Sequence, residues 1–323
     1  MTMAGDERWL DDVSDLEHDD VHAVLHLIDQ VTDADGVRPL DEHALLHIRR
    51  GGDVGARHLL EWNRSTSDEP AQLVGYLHLD STDEVAGPVA ELAVHPEFRR
   101  HGIGRNLVQA IIDQSSDGQM RLWAHGESTA SAHLAGSMGF TSTRVLWQMR
   151  RSLSAALPRL VLPDGVRIRA FNPGHDDDAW VAVNARAFEN HPDQGRWTID
   201  DLRLRMREPW FDPTGFLLAV TGAGADEQIV AFHWTKVHGS NDHGHGHGHA
   251  QLGEVFVVGV DPEWQRKSLG RSLTVAGLAH LRSRGLDQAM LYVDARNTNA
   301  IKVYESLGFA RWDTDVLFTR VPS

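Results

Sequence analysis

The chain has 323 residues and no cysteine. That absence excludes disulfides, thiolate metal sites and a cysteine nucleophile together. Long apolar runs are missing too: nowhere do the roughly eighteen consecutive apolar residues of a membrane-spanning helix occur. The opening Met1-Thr-Met-Ala-Gly-Asp-Glu-Arg8 is polar and lacks the apolar core of a secretory signal. Positive charge is scarce, with 31 Lys and Arg against 46 Asp and Glu, a formal net of −15. Nonspecific nucleic-acid binding needs the opposite balance. The expectation is a cytoplasmic protein, a monomer, without a nucleic-acid or membrane partner.

Against this acidic background, basic residues collect at two short segments. One reads Leu92-Ala-Val-His-Pro-Glu-Phe-Arg99-Arg-His-Gly102-Ile-Gly104-Arg105. The other, 166 positions on, reads Val258-Gly-Val-Asp-Pro-Glu-Trp-Gln265-Arg-Lys-Ser268-Leu-Gly270-Arg271. Each is an apolar run ending at proline, then a basic, glycine-bearing turn that opens an apolar helix. Such a turn aims several backbone N–H groups outward at a helix N-terminus, beside arginines, which suits a pyrophosphate. The fold is duplicated, and each copy carries an anion cradle.

Length and repeat together predict two domains, and 41% hydrophobic residues supply two ordinary cores. The first is expected over 1–150 and the second over 166–323. The proline-bearing stretch 151–165 between them reads as a linker leading into a strand at Val166-Arg-Ile-Arg-Ala170. Each half repeats one order: helices over 20–30 and 41–50 (177–190 and 199–208), then strands over 58–62 and 73–80 (216–221 and 228–237). The strand before the cradle follows, then the cradle helix, a strand over 120–124 (288–293) and a short helix ending in Gly-Phe. This is an α/β (α+β) pattern, a mostly antiparallel twisted sheet flanked by helices in each half. The stretch His238-Gly-Ser-Asn-Asp-His-Gly-His-Gly-His-Gly-His249 is low complexity. It reads as a loop inserted between strands; alternating histidine would also suit a divalent metal, but no regular structure supplies a geometry, so no functional metal is assigned.

The cradle pattern, joined to the tail Asn297-Thr-Asn-Ala300-Ile-Lys-Val-Tyr304-Glu-Ser-Leu-Gly308-Phe309, resembles the GCN5-related N-acetyltransferase (GNAT) superfamily. A glycine turn alone is weak; a turn and tail at the right separation, partly repeated, is specific. The resemblance implies two tandem GNAT domains and acetyl-CoA as co-substrate. In the second domain it assigns cofactor contacts to Val258, Gly259, Val260, Gln265, Arg266, Lys267, Ser268, Leu269, Gly270, Arg271, Asn297, Thr298, Asn299, Ala300, Ile301 and Lys302. In the first it assigns Leu92, Ala93, Val94, Arg100, His101, Gly102, Ile103, Gly104 and Arg105.

Acyl transfer to an amine needs one group to take the ammonium proton and helps the leaving thiolate by giving it another. Tyr304 matches the superfamily tyrosine that protonates the CoA sulfur, although Ala300, Val303, Tyr304 and Leu307 also form one apolar stripe. Glu254, four residues before the cofactor strand, is placed to accept the amine proton directly or through water. In the first copy, Ser128 falls opposite Asn297, Ala135 opposite Tyr304 and Pro88 opposite Glu254. That copy keeps the cradle and lacks both proton handlers, so it is expected to bind acetyl-CoA without turnover.

A closer resemblance is to the tandem, mycothiol-forming branch of the superfamily in actinobacteria. It is carried by Gly36-Val-Arg-Pro-Leu-Asp-Glu42, His191-Pro-Asp-Gln-Gly-Arg-Trp197, Glu208-Pro-Trp-Phe-Asp-Pro213, Phe232-His-Trp-Thr-Lys-Val-His238 and Gly253-Glu-Val-Phe-Val-Val-Gly-Val-Asp-Pro262. It implies acetylation of the cysteinyl amine of Cys-GlcN-Ins by direct ternary-complex transfer, with Glu42, Asp193, Lys236, Glu254 and Tyr292 as substrate contacts. Plain alternatives stand beside these: Glu42 as an exposed helix residue, Tyr292 as sheet core, Lys236 snorkelling at an edge. Two other functions share the cradles: acetylation of a different amine, and acyl-CoA sensing without catalysis.

Overall fold

The structure, a computed structural model, describes residues 7–49, 51, 55–65, 70–81, 87–115, 118–126, 128–189, 194–238 and 251–321. The side chains of Glu42, His43 and Leu46 lie outside the described set, as does the run 239–250. The chain divides into two compact units, Met1–Leu146 with Asp313–Ser323, and Trp147–Trp312.

In the first unit the order is β1 (Glu7–Val13), α1 (His18–Asp35), α2 (Glu42–Arg49), β2 (Ala56–Arg64), β3 (Gln72–Asp80), β4 (Val89–Val94), α3 (Ile103–Gln114), β5 (Met120–Ala124), α4 (Thr129–Ser137) and the first half of β6 (Thr141–Ser152). Strands β1 to β4 are antiparallel neighbours, and β4 pairs β5 in parallel. Val24, Leu27, Ile28 and Val31 of α1 recur at helical spacing and cover one sheet face; Leu107, Val108 and Ile111 of α3 cover the other. With both faces covered, β3 is buried at every position after Gln72.

The second unit repeats the plan with β7 (Arg167–Ala170), α5 (Asp177–Ala187), α6 (Ile199–Met206), β8 (Phe216–Thr221), β9 (Gln228–His238), β10 (Leu252–Val260), α7 (Leu269–Ser283), β11 (Gln288–Asp294) and α8 (Thr298–Ser306). Its sheet runs β11-β10-β9-β8-β7, antiparallel except for β10 with β11. One face holds an aromatic core in which Phe216 stacks on Trp234 at 4.3 Å and Trp180 meets both edge-on. On the other face lie Leu273, Leu278 and Leu281 of α7.

The sequence-based fold holds: mixed α/β domains in tandem. Three strands escape the sequence pattern: β1, which is mostly exposed, β6, and the closing strand β12 (Ala310–Arg320). The expected boundary also moves. Residues expected in the linker, Arg151 and Ser152, finish β6, and Leu153 is buried with its N–H donated to the Asp287 carbonyl. The last residues, expected in a second domain over 166–323, belong to the first unit, where β12 pairs antiparallel with β5 from Val316↔Ala124 to Arg320↔Met120. Alternation can mark a strand but not the edge it joins. No helix among the described residues is long and apolar enough to cross a membrane.

Candidate active site

Each unit builds its cradle from the same backbone. β4 and β10 end at single turns led by proline, Pro96–Phe98 and Pro262–Trp264. The preceding residue caps the turn: His95 Nδ1 accepts from Glu97 N–H at 3.3 Å, and Asp261 Oδ1 accepts from Glu263 N–H at 3.1 Å. The chain then turns left-handed twice, at Arg100 (φ 68) and Gly102 (φ 86), and at Arg266 (φ 61) and Ser268 (φ 60). Such a turn forms a concave nest of N–H groups. α3 and α7 begin immediately after it, and neither has a side-chain cap at its N-terminus. Their first-turn amides therefore face outward at the positive end of the helix dipole, ready for an anion. In the second unit Lys267, Ser268, Arg271 and Ser272, with Arg159 and residues 161–163, line a cavity of about 390 Å³ at this helix start. Its cationic lining fits a phosphorylated ligand.

A second feature lies along the strands. β10 pairs β11 only from Leu252↔Gln288 to Glu254↔Met290, although β10 runs on to Val260 and β11 to Asp294. β4 and β5 part in the same way after Ala90↔Leu122. Beyond Glu254 the main-chain groups on the β11 side of Val255–Val260 lie outside the β10–β11 ladder, the kind of edge to which an extended chain adds as a strand. Here the units differ. β10 has a bulge between Val255 and Val257, opposite Thr235 and Trp234. β4 pairs β3 without interruption from Val89↔Asp80 to Val94↔Gly75. A bulge leaves a residue out of the ladder and re-aims the side chains on either side of it. It also changes the correspondence between copies: Glu254, opposite Lys236, corresponds to Val89, opposite Asp80, and not to Pro88. Neither residue is a carboxylate.

Glu254 stands where β10 and β11 begin to part and is 6% exposed. Its cross-strand partner is Lys236, buried, with Nζ 4.7 Å from the Trp210 ring centroid and 5.3 Å from that of Phe256. Its Oε2 lies 2.7 Å from His238 Nε2. Burial by itself would raise the Glu254 carboxyl pKa; the His238 hydrogen bond and the positive charges of His238 and Lys236 reverse this and hold it below the usual value. The carboxylate is thus ionised inside the protein, as a proton acceptor must be.

Tyr292, on β11, is 40% exposed and its hydroxyl accepts from Gln148 Nε2 at 2.9 Å, so it is not sheet core. Tyr304, on α8, is half-buried against Phe309, and burial pushes its phenol up to about 12. It keeps its proton at neutral pH. Asn297 caps α8, its Oδ1 accepting from Ala300 N–H at 3.1 Å, and Ser128 caps α4 in the same manner. The side chains of Ile103, Leu269 and Ile301 enter the core. Gly259 has no room for a side chain: a Cβ would lie 2.5 Å from the Phe232 ring. Glu42 opens α2, but its side chain, like Asp193 and the run 239–249, lies outside the described residues.

Sequence reasoning missed His238, Gln148, Trp210 and Phe256. For His238 a signal existed: Lys236 and His238 alternate on β9, on the face that Glu254 shares. Its place at the head of the His-Gly run hid it.

A cradle at a helix start, a strand pair that opens beyond it and a buried carboxylate at the apex define an acyl-CoA-dependent N-acyltransferase of the GNAT class. Comparison agrees: the GNAT acetyltransferase family model matches residues 180–309, and a GNAT acetyltransferase domain model matches residues 64–142. A tandem GNAT protein from the clavulanic acid biosynthesis pathway shares the fold, with TM-score 0.70 and 18% identity over 98% of this chain and all of that one. A GCN5-related N-acetyltransferase from Sphaerobacter thermophilus shares it with TM-score 0.66, at 24% identity over 97% of this chain and 95% of that one. Mycothiol acetyltransferase of Streptosporangium roseum is 50% identical over 338 residues, covering 94% of this chain and 97% of that protein. That of Acidothermus cellulolyticus is 54% identical over 302 residues, covering 92% and 90%. The chain belongs to the mycothiol acetyltransferase family of acetyl-CoA-dependent N-acetyltransferases.

Proposed function

We propose that the second unit transfers the acetyl group of acetyl-CoA to the cysteinyl amine of Cys-GlcN-Ins, giving mycothiol and CoA by direct transfer in a ternary complex. The observation that carries the reading is Glu254: a buried, ionised carboxylate at the point where β10 and β11 part. Acetyl-CoA, as co-substrate, supplies an activated thioester carbonyl. The amides of residues 265–271 hold its pyrophosphate, with Arg266, Lys267 and Arg271 beside them, and Asn297, Thr298, Asn299, Ala300, Ile301 and Lys302 complete that wall. Main-chain groups of Val258, Gly259 and Val260 receive its extended arm, and a backbone N–H of this strand steadies the oxyanion. Glu254 takes the proton of the substrate ammonium, and Tyr304 returns one to the departing sulfur. Glu42, Asp193, Lys236 and Tyr292 contact the polar substrate.

The first unit keeps the grip of Leu92–Val94 and Arg100–Arg105 for a second acetyl-CoA. Val89 and Ala135 stand where Glu254 and Tyr304 stand in the other unit, and β4 has no bulge; this supports binding without turnover.

The test is CoA release from acetyl-CoA with purified protein and Cys-GlcN-Ins, alongside Glu254→Gln and Tyr304→Phe. Saturable release with an N-acetylated product, falling about 10²- to 10⁴-fold in each variant, is expected for acid–base groups. Binding of acetyl-CoA with no release on this amine, or release unchanged in both variants, overturns the reading.

A further inference from the structure

The carboxylate at the apex does not act alone. His238 is the last residue of β9 and faces Leu252 across the strand pair, two residues along from the position opposite Glu254 and on the same face. Diagonal neighbours on one face of a sheet are within reach when one of them is long, and here the imidazole closes the gap to 2.7 Å. The His238 side chain is 29% exposed and that of Glu254 8%, so the ring reaches the carboxylate from its solvent side. In the first unit Val89, facing Asp80, holds the position of Glu254.

We propose that His238 is a positioning residue for the reaction: its Nε2–H donates to Glu254 Oε2, fixing the carboxylate in one orientation so that the substrate's ammonium proton is received at Oε1. The inference rests on Glu254 being the proton acceptor. Two groups of β9 act electrostatically on that carboxylate, His238 and Lys236. From β11 the facing neighbour is Met290, and from the loop before β8 it is the uncharged Trp210 beside Lys236. Without His238 only Lys236 opposes the effect of burial, and Glu254 becomes harder to ionise.

The experiment is the pH dependence of kcat for the full chain and for His238→Ala, His238→Gln, Glu254→Gln and the double variant Glu254→Gln/His238→Ala. The expected result is a fall in kcat of about 10- to 100-fold at neutral pH in His238→Ala. Its acidic limb moves to higher pH and its KM for acetyl-CoA is unchanged. His238→Gln, which keeps an N–H donor, recovers part of the rate. The double variant is no slower than Glu254→Gln alone. An acidic limb that stays in place in a folded His238→Ala, or losses that multiply in the double variant, overturns the inference. If Glu254→Gln itself keeps its rate, the assignment of the base fails instead. Should His238→Ala lose its cooperative melt, His238→Gln decides by itself: a limb unmoved and a rate unchanged overturn the role.

Discussion

Ser268 adopts at φ 60 the left-handed backbone that Gly102 adopts at φ 86, at the same step of the two cradles. An L-residue in this conformation is strained by about 1–2 kcal/mol, whereas glycine is not. The nest requires the conformation, so the second cradle holds it against the preference of its own residue. Part of the gain from glycine is lost to its greater freedom in the unfolded chain. Ser268→Gly is therefore expected to stabilise the second unit by about 0.5–1 kcal/mol, with acetyl-CoA affinity kept because every N–H remains. Thermal melts with and without acetyl-CoA check this; destabilisation would mean that the serine side chain carries a role of its own.

Gly277 lies inside α7, where alanine would ordinarily gain about 1 kcal/mol. Here a Cβ would stand 2.0 Å from Cε1 and 2.2 Å from Nδ1 of His233, a fully buried ring whose Nδ1 donates to the Leu273 carbonyl. Overpacking of this kind costs roughly 1–3 kcal/mol or more. Gly277→Ala should lower the melting temperature of the second unit. An unchanged or raised value would show that β9 and α7 can separate freely.

Acid should weaken both units through histidines buried as neutral rings. Burial, foremost, lowers His58 and His233 from 6.5 to about 4. The unfolded chain therefore binds more protons between about pH 6.5 and 4, and stability falls as pH drops through that window. Each ring costs about 2 kcal/mol on going from pH 7 to 5. Denaturant unfolding at both pH values, in wild type and in His58→Leu, measures the first unit's share. An identical pH dependence in the two proteins would remove His58 as a cause.

His125 behaves oppositely. Its Nδ1 is 3.1 Å from Asp315 Oδ2 and its Nε2 3.3 Å from Glu91 Oε1, all three side chains nearly buried. Burial alone would lower the imidazole pKa, but the Glu91 charge, with the Asp315 hydrogen bond, raises it well above 6.5. The two carboxylates also hold backbone, Glu91 accepting from Asp41 N–H at 2.7 Å and Asp315 from Gly126 N–H at 3.0 Å. Loss of the cation leaves buried carboxylates uncompensated, so His125→Gln should cost about 3–5 kcal/mol. Because the folded pKa is raised, this contribution is complete below about pH 6.5 and is lost as pH rises through the folded value. The gap between wild type and variant must therefore narrow toward alkaline pH. A gap that widens there would rule out the imidazolium.

The amino-acid sequence alone determined the two cradles, the tandem GNAT architecture, the candidate acid and base and the family. Each rests on residues close together in the chain: a proline-led turn, a left-handed step before a helix, a cap such as Asn297, an apolar stripe. Local backbone chemistry writes such features into contiguous positions. Only the tertiary structure decided which strand the C-terminal residues extend, that β10 bulges where β4 does not, and that His238 meets Glu254. These depend on strand register, set by packing on both faces of a sheet between segments distant in the chain. A one-residue difference in register moved the counterpart of Glu254 from Pro88 to Val89.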